Sequence, residues 1–124
     1  MEDRVMPVEE ENLAEELKPI YEAFKKELGM VPPPIKLMAN NPAYLKLFVE
    51  KHKVLWDENS LDPKTKVLIA LVISTLNNCE FCIRNYTMQA KKLGITEKEI
   101  IEAIGLIDLI GSMNHFNNGM RLKP

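Results

Sequence analysis

Val67-Leu68-Ile69-Ala70-Leu71-Val72-Ile73 is the segment that most restricts what this chain can fold into. Asp62-Pro63 stands just before it, with Asp62 placed to cap a helix and Pro63 to be its first residue. As a helix the segment is apolar all round, so it must be covered on every face. Its β-branched content would also suit a buried strand, but the cap and the lack of any partner strand elsewhere favour the helix. The run is far too short to cross a bilayer. The rest of the chain therefore has to supply elements that pack around it.

Those elements read as helices. Leu13, Leu17, Ile20, Phe24 and Leu28 recur at three- and four-residue steps, which predicts a first helix from Glu9 to Leu28, kinked or broken at Pro19 and closed by Gly29. Val31-Pro32-Pro33-Pro34 is a stiff connector, followed by a short turn of helix from Ile35 to Ala39. Asn41 caps and Pro42 opens a second long helix, to about Asp57. Asn77-Asn78 ends the apolar helix, and the next one runs from Cys79 to about Leu93, stopped by Gly94. Thr96-Glu97-Lys98-Glu99 is a capping box that opens the last helix. That helix is again apolar around most of its circumference from Ile100 to Met113, with Gly105 and Gly111 as breaks or close-packing points. Two such helices in so small a bundle point to burial against other subunits; the alternative is that the N-terminal helix covers them within one chain.

The 124 residues fit a single domain, 1–124, and 46% hydrophobic with 27% charged residues is the mix of a soluble globular protein. Only 6% are aromatic, which suits helix packing better than a sandwich of short strands. The net charge is −2 and no Lys/Arg cluster stands out, so neither nucleic acid nor membrane is an expected partner. The acidic stretch from Met1 to Glu16 is no signal peptide, and the expected location is cytoplasmic. In that compartment a lone CxxC reads as a redox or metal motif before a structural disulfide.

Cys79 and Cys82 form that motif. Three residues apart, they share one face of a helix. With Asn78 as N-cap both thiols fall in the first turn, where unpaired N–H groups and the helix dipole favour thiolate over thiol. A second thiol nearby can resolve a sulfenic acid or mixed disulfide. Two other readings stay open: buried cysteines acting as small core hydrophobes, and a metal site. Zinc wants four ligands, and beyond the pair the chain offers only His52 and His115, without finger-like spacing. No resident metal or cofactor is expected.

The stretch from Leu61 to Ile83, with Asn77-Asn78-Cys79-Glu80-Phe81-Cys82 at its end, resembles the signature segment of the carboxymuconolactone decarboxylase family, in the branch typified by alkyl hydroperoxidase D. Gly29-Met30-Val31-Pro32, Leu37-Met38-Ala39-Asn40-Asn41-Pro42, Ala90-Lys91-Lys92-Leu93-Gly94-Ile95 and Phe116-Asn117 match the same branch. The resemblance implies an all-α fold of six or seven helices that assembles into trimers or hexamers. It implies CxxC redox activity on hydroperoxides, with electrons from a dithiol such as lipoamide or from a thiol partner protein. It also implies that Cys82 becomes the sulfenic acid while Cys79 serves as its partner and proton source.

Two positions depart from the family pattern. The peroxidase members carry a glutamate where this chain has Val67 and a histidine where it has Tyr86. Tyr86 still falls on the dithiol face, but phenol titrates at about 10 and is no base near neutral pH. Loss of general-base help of about 10²–10⁴-fold argues against full peroxidase turnover and leaves room for slow thiol–disulfide chemistry. His115, on the last helix, is the candidate replacement base, though a half-buried structural histidine is the plainer reading; His52, among apolar neighbours, reads as structural. The candidate catalytic residues are Cys79, Cys82, Tyr86 and His115. The expected function is a dithiol oxidoreductase acting on peroxides or disulfides. The alternative is a non-catalytic or ligand-binding oligomer that keeps the fold.

Overall fold

The computed structural model describes residues 3–58 and 60–124, and these two stretches form two compact units. Among the described residues there are six α-helices and no strand, so Val67 to Ile73 is helical, as its cap requires.

In the first unit the predicted long N-terminal helix is three pieces. Two 3₁₀ turns, Glu10–Asn12 and Glu15–Leu17, precede α1, Lys18–Leu28. Leu13 and Ala14 between them are extended, with ψ of 134° and 140°. Pro19 explains the division. It lacks the N–H a helix interior needs, but in the first turn that donor would be unpaired anyway, so the α-helix begins just before it. Gly29 closes α1 at φ 80°, and its N–H donates to the Lys25 carbonyl at 2.8 Å. The same proline logic moves the start of the next helix. α2 is Pro33–Met38, two residues earlier than expected, because Pro33 and Pro34 sit in its first turn. α3, Pro42–His52, starts at Asn41 as predicted, with Asn41 Oδ1 accepting from the Tyr44 N–H at 3.2 Å. It passes into one π-helical turn, Lys53–Asp57.

The core of this unit is Leu13, Leu17, Tyr21, Val31, Ile35, Ala39 and Leu45. Of the apolar period seen in the sequence, Leu13 and Leu17 are buried although their backbone is not α-helical, Ile20 and Phe24 are partly buried, and Leu28 at the end of α1 is exposed. Tyr21 is 1% exposed, and its hydroxyl donates to the Val8 carbonyl at 2.6 Å. That bond and the Val8 N–H to Lys36 carbonyl bond, 3.0 Å, pin the N-terminal segment to the core.

The second unit contains α4, Pro63–Leu76, α5, Glu80–Lys92, and α6, Glu97–Gly119. Asp62 caps α4 as predicted, accepting from the Thr65 N–H at 3.0 Å and the Thr65 hydroxyl at 2.7 Å. Thr96 and Glu99 close the capping box of α6 with reciprocal bonds of 3.1 Å. α6 runs unbroken through Gly105 and Gly111, and a Cβ on either would meet no neighbouring atom within 4 Å. They are thus not breaks, and within the single chain they are not close-packing points. α4 packs against α5 and α6 and buries Val67, Leu71 and Ser74. α6 buries no residue fully and leaves Ile101, Leu106, Leu109, Ile110, Met113 and Phe116 exposed.

Candidate active site at the corner between α4 and α5

The site is set by how α4 stops. The Asn78 N–H donates to the Thr75 carbonyl at 3.1 Å, and the Cys79 N–H donates to the Ser74 carbonyl at 3.0 Å. Asn78 itself is left-handed, at φ 54°. Together these form a Schellman closure with asparagine where glycine is most common. Asparagine is among the few other residues that enter this region readily, because its short polar side chain can bond locally.

The next residue, Cys79, is extended at φ −88°, ψ 91°, and is the N-cap of α5. Its Sγ accepts the Cys82 N–H at 3.4 Å. The cap was expected at Asn78 and lies one residue later. Asn78 is occupied by the left-handed turn, so the following side chain is the first that can reach back to the new helix. The sulfur of Cys79 thus takes the place of the oxygen that Ser, Thr, Asp or Asn would supply. Cys82 is the third helical residue, so its thiol lies in the same turn as the Cys79 sulfur that accepts its N–H.

Both cysteines are free and half-buried. Their protons divide unequally. The Cys82 thiol, then the Cys82 backbone N–H, hold Cys79 below the ordinary thiol range. The same thiol–thiol bond, with burial and the charge on Cys79, pushes Cys82 up. The two thiols therefore titrate as one coupled pair.

Tyr86 lies on α5, one turn beyond Cys82. Burial raises its phenol, and the charges of Cys82 and Cys79 raise it further. The structure thus brings Cys79, Cys82 and Tyr86 together. Val67 is buried in α4 at 2% exposure. His115 is in the exposed C-terminal part of α6, and among the described residues no hydrogen bond or ion pair links it to the thiols. Glu80, between the cysteines, is exposed and paired with the exposed Arg84 at 2.6 Å. His52 belongs to the first unit, in an aromatic group with Phe24, Phe48 and Trp56 at centroid distances of 6.0–6.4 Å. Among the described residues no group of three or more His, Cys, Asp or Glu gathers to hold a metal ion, and no helix is long and apolar enough to cross a membrane.

The capping role of Cys79 is what reading the sequence missed. The available signal was Asn77-Asn78, a pair suited to end one helix in a left-handed turn and hand the cap to the next residue.

The sequence model of the carboxymuconolactone decarboxylase family matches residues 42–122. An uncharacterized protein of the Paracoccus denitrificans cox locus is 35% identical over 57 residues, which are 46% of this chain and 51% of that protein. The uncharacterized protein YdfG of Bacillus subtilis is 32% identical over 69 residues, 51% of this chain and 47% of that one. The chain spans about half the length of these relatives. The crystal structure of an alkylhydroperoxidase AhpD core from Rhodospirillum rubrum superposes with a TM-score of 0.87 at 27% identity, covering 100% of this chain and 95% of that one. A protein from Methanobacterium thermoautotrophicum matches with a TM-score of 0.62 at 26% identity, over 68% of this chain and 94% of its own.

Proposed function

The chain belongs to the carboxymuconolactone decarboxylase family, and from that membership we propose that it is a dithiol oxidoreductase. In this reading Cys79 and Cys82 cycle between dithiol and disulfide, reducing a hydroperoxide or a disulfide. A dithiol such as lipoamide, or a thiol partner protein, restores them. The observation that carries the reading is the corner itself: two free thiols in one helical turn, the Cys79 sulfur accepting the Cys82 N–H at 3.4 Å, with their proton affinities pushed apart. A buried structural pair needs no such division. The likeness to the Rhodospirillum rubrum alkylhydroperoxidase core over 100% of this chain supports the same chemistry, and supports taking the whole chain as one such domain.

The reading also makes the protein a homo-oligomer, a trimer or hexamer, working in the cytoplasm. Support for assembly comes from α6, whose Ile101 is 72% and Leu109 59% exposed in the single chain. Apolar side chains left open along a helix that buries none of its own residues fully call for a cover.

The test is peroxide or disulfide reduction with a dithiol donor, wild type against Cys82→Ser. Loss of turnover in the variant is expected, and equal rates overturn the reading. The second reading, a non-catalytic member, draws on Val67, whose aliphatic side chain stands where the resemblance places the relay glutamate. Under it, both thiols react with alkylating reagents as ordinary surface cysteines do.

A further inference from the structure

We propose that His52 and Asp57 form a pH-sensitive clasp on the π-helical turn at the end of α3, closed while His52 is charged and released as it loses its proton.

The clasp starts from the shape of the turn. α3 ends at His52, and Lys53–Asp57 continues it as a π-helix. In an α-helix residues four apart stand over one another, so residue 57 would turn away from residue 52. A π-helix bonds i to i+5, which brings the residue five ahead round to the same side. Asp57 Oδ1 accordingly lies 3.9 Å from His52 Nδ1. Trp56 stays beside His52 too, with ring centroids 6.2 Å apart. Phe48, one turn back at 6.0 Å, and Phe24 of α1, at 6.4 Å, complete a wall of rings around the imidazole.

These neighbours favour a charged imidazole over a neutral one. An ionised Asp57 attracts an imidazolium, and aromatic rings attract a nearby cation. On its own helix the positions one turn from His52 are Phe48, Val49, Leu55 and Trp56, none of them titratable. Its sequence neighbours Lys51 and Lys53 lie about 100° round the helix on either side. From α1, the residues one turn from Phe24 include Tyr21, whose hydroxyl is committed to the Val8 carbonyl at 2.6 Å, and Glu27, a second carboxylate. Glu58, just past the turn, is a third. Asp57 is the acid within reach of the ring, so it is the one the clasp uses. The stabilisation is present while His52 is charged and Asp57 ionised. It is lost as pH rises through the histidine range, about 5 to 8. The side chains are 33% and 52% exposed, so solvent screens the pair and the effect is modest. The turn is the last element of the first unit, and the chain passes from it to the unit that carries the dithiol.

The chain carries its own reporter, since Trp56 is the only tryptophan and His115 the only other histidine. On the full chain, Trp56 fluorescence is expected to change in one step between about pH 5 and 8. The step should persist in His115→Gln and vanish in His52→Gln. Amide hydrogen exchange of residues 53–57, corrected for the intrinsic effect of pH, should be about two- to fivefold slower below the step than above it, the range one partly exposed charge pair supports. Asp57→Asn, nearly the same shape and on the surface, should remove that difference, and Glu27→Gln should keep it. A fluorescence step with no change in corrected exchange makes His52 a quencher only and overturns the clasp. So does an exchange difference that survives in Asp57→Asn or disappears in Glu27→Gln.

Discussion

Asn78 holds the corner through its backbone, so replacing it by alanine and by glycine should have different effects. At φ 54° an L-residue with a Cβ pays about 1–2 kcal/mol in the left-handed region, a cost asparagine partly escapes. Asn78→Ala should therefore lower stability by about 1 kcal/mol. Asn78→Gly removes the steric cost but gives the unfolded chain more freedom, roughly 0.5–1 kcal/mol, so the two changes nearly cancel. Urea titration of the two variants should separate them by about 1 kcal/mol with unchanged slope, equivalent to a few degrees in Tm. Thiol reactivity should follow the same order, because an opened corner releases the Cys79 N–H from Ser74 and with it the cap. If alanine and glycine destabilise equally, the Asn78 side chain and not its backbone holds the corner. The account of how Cys79 is positioned is then refuted.

Other consequences follow from the same structure. Val67→Glu with Tyr86→His restores the relay types of the family's peroxidases. It should raise hydroperoxide turnover by about tenfold or more if the scaffold still fits them; a double variant that folds without any gain means the pocket has been remodelled. The caps Asp62 and Glu99 have carboxyls held low, chiefly by hydrogen bonds from Thr65 and Thr96. Their contribution is complete above the unfolded carboxyl range, about 4, and is lost as pH falls through the lower folded values. Asp62→Asn with Glu99→Gln should flatten the acid limb of stability against pH. Gly111→Ala should stabilise α6 by about 0.5–1 kcal/mol, since the added methyl meets no atom of the chain; thermal melts below wild type would mean that a partner subunit occupies that space.

Much of the fold can be read locally, and the limits are local too. Asp62, Asn41 and Thr96 announce their helices because a cap is a bond between residues three apart, visible without tertiary structure. Periodicity finds Leu13 and Leu17 as core, yet it does not distinguish an α-helix from 3₁₀ turns joined by extended residues. What decides is where the donor-less Pro19 can be tolerated, and only the packed chain settles that. The dithiol was evident from its spacing. Its polarity was not, because it depends on a one-residue choice among Asn77, Asn78 and Cys79 over which of them turns left-handed. His115 was named because the last helix of such a bundle can pass near the dithiol, whereas its link to the site depends on tertiary placement, which spacing does not report.

The central claim is that Cys79 and Cys82 act as one redox couple. Equilibrating the protein in dithiol–disulfide buffers of graded poise, then counting free thiols and locating the bonds by mass spectrometry, tests it directly. The account predicts that both thiols disappear together in a single two-electron step to the Cys79–Cys82 disulfide. Separate titration of the two sulfurs as mixed adducts, or no internal disulfide at any poise, would contradict it.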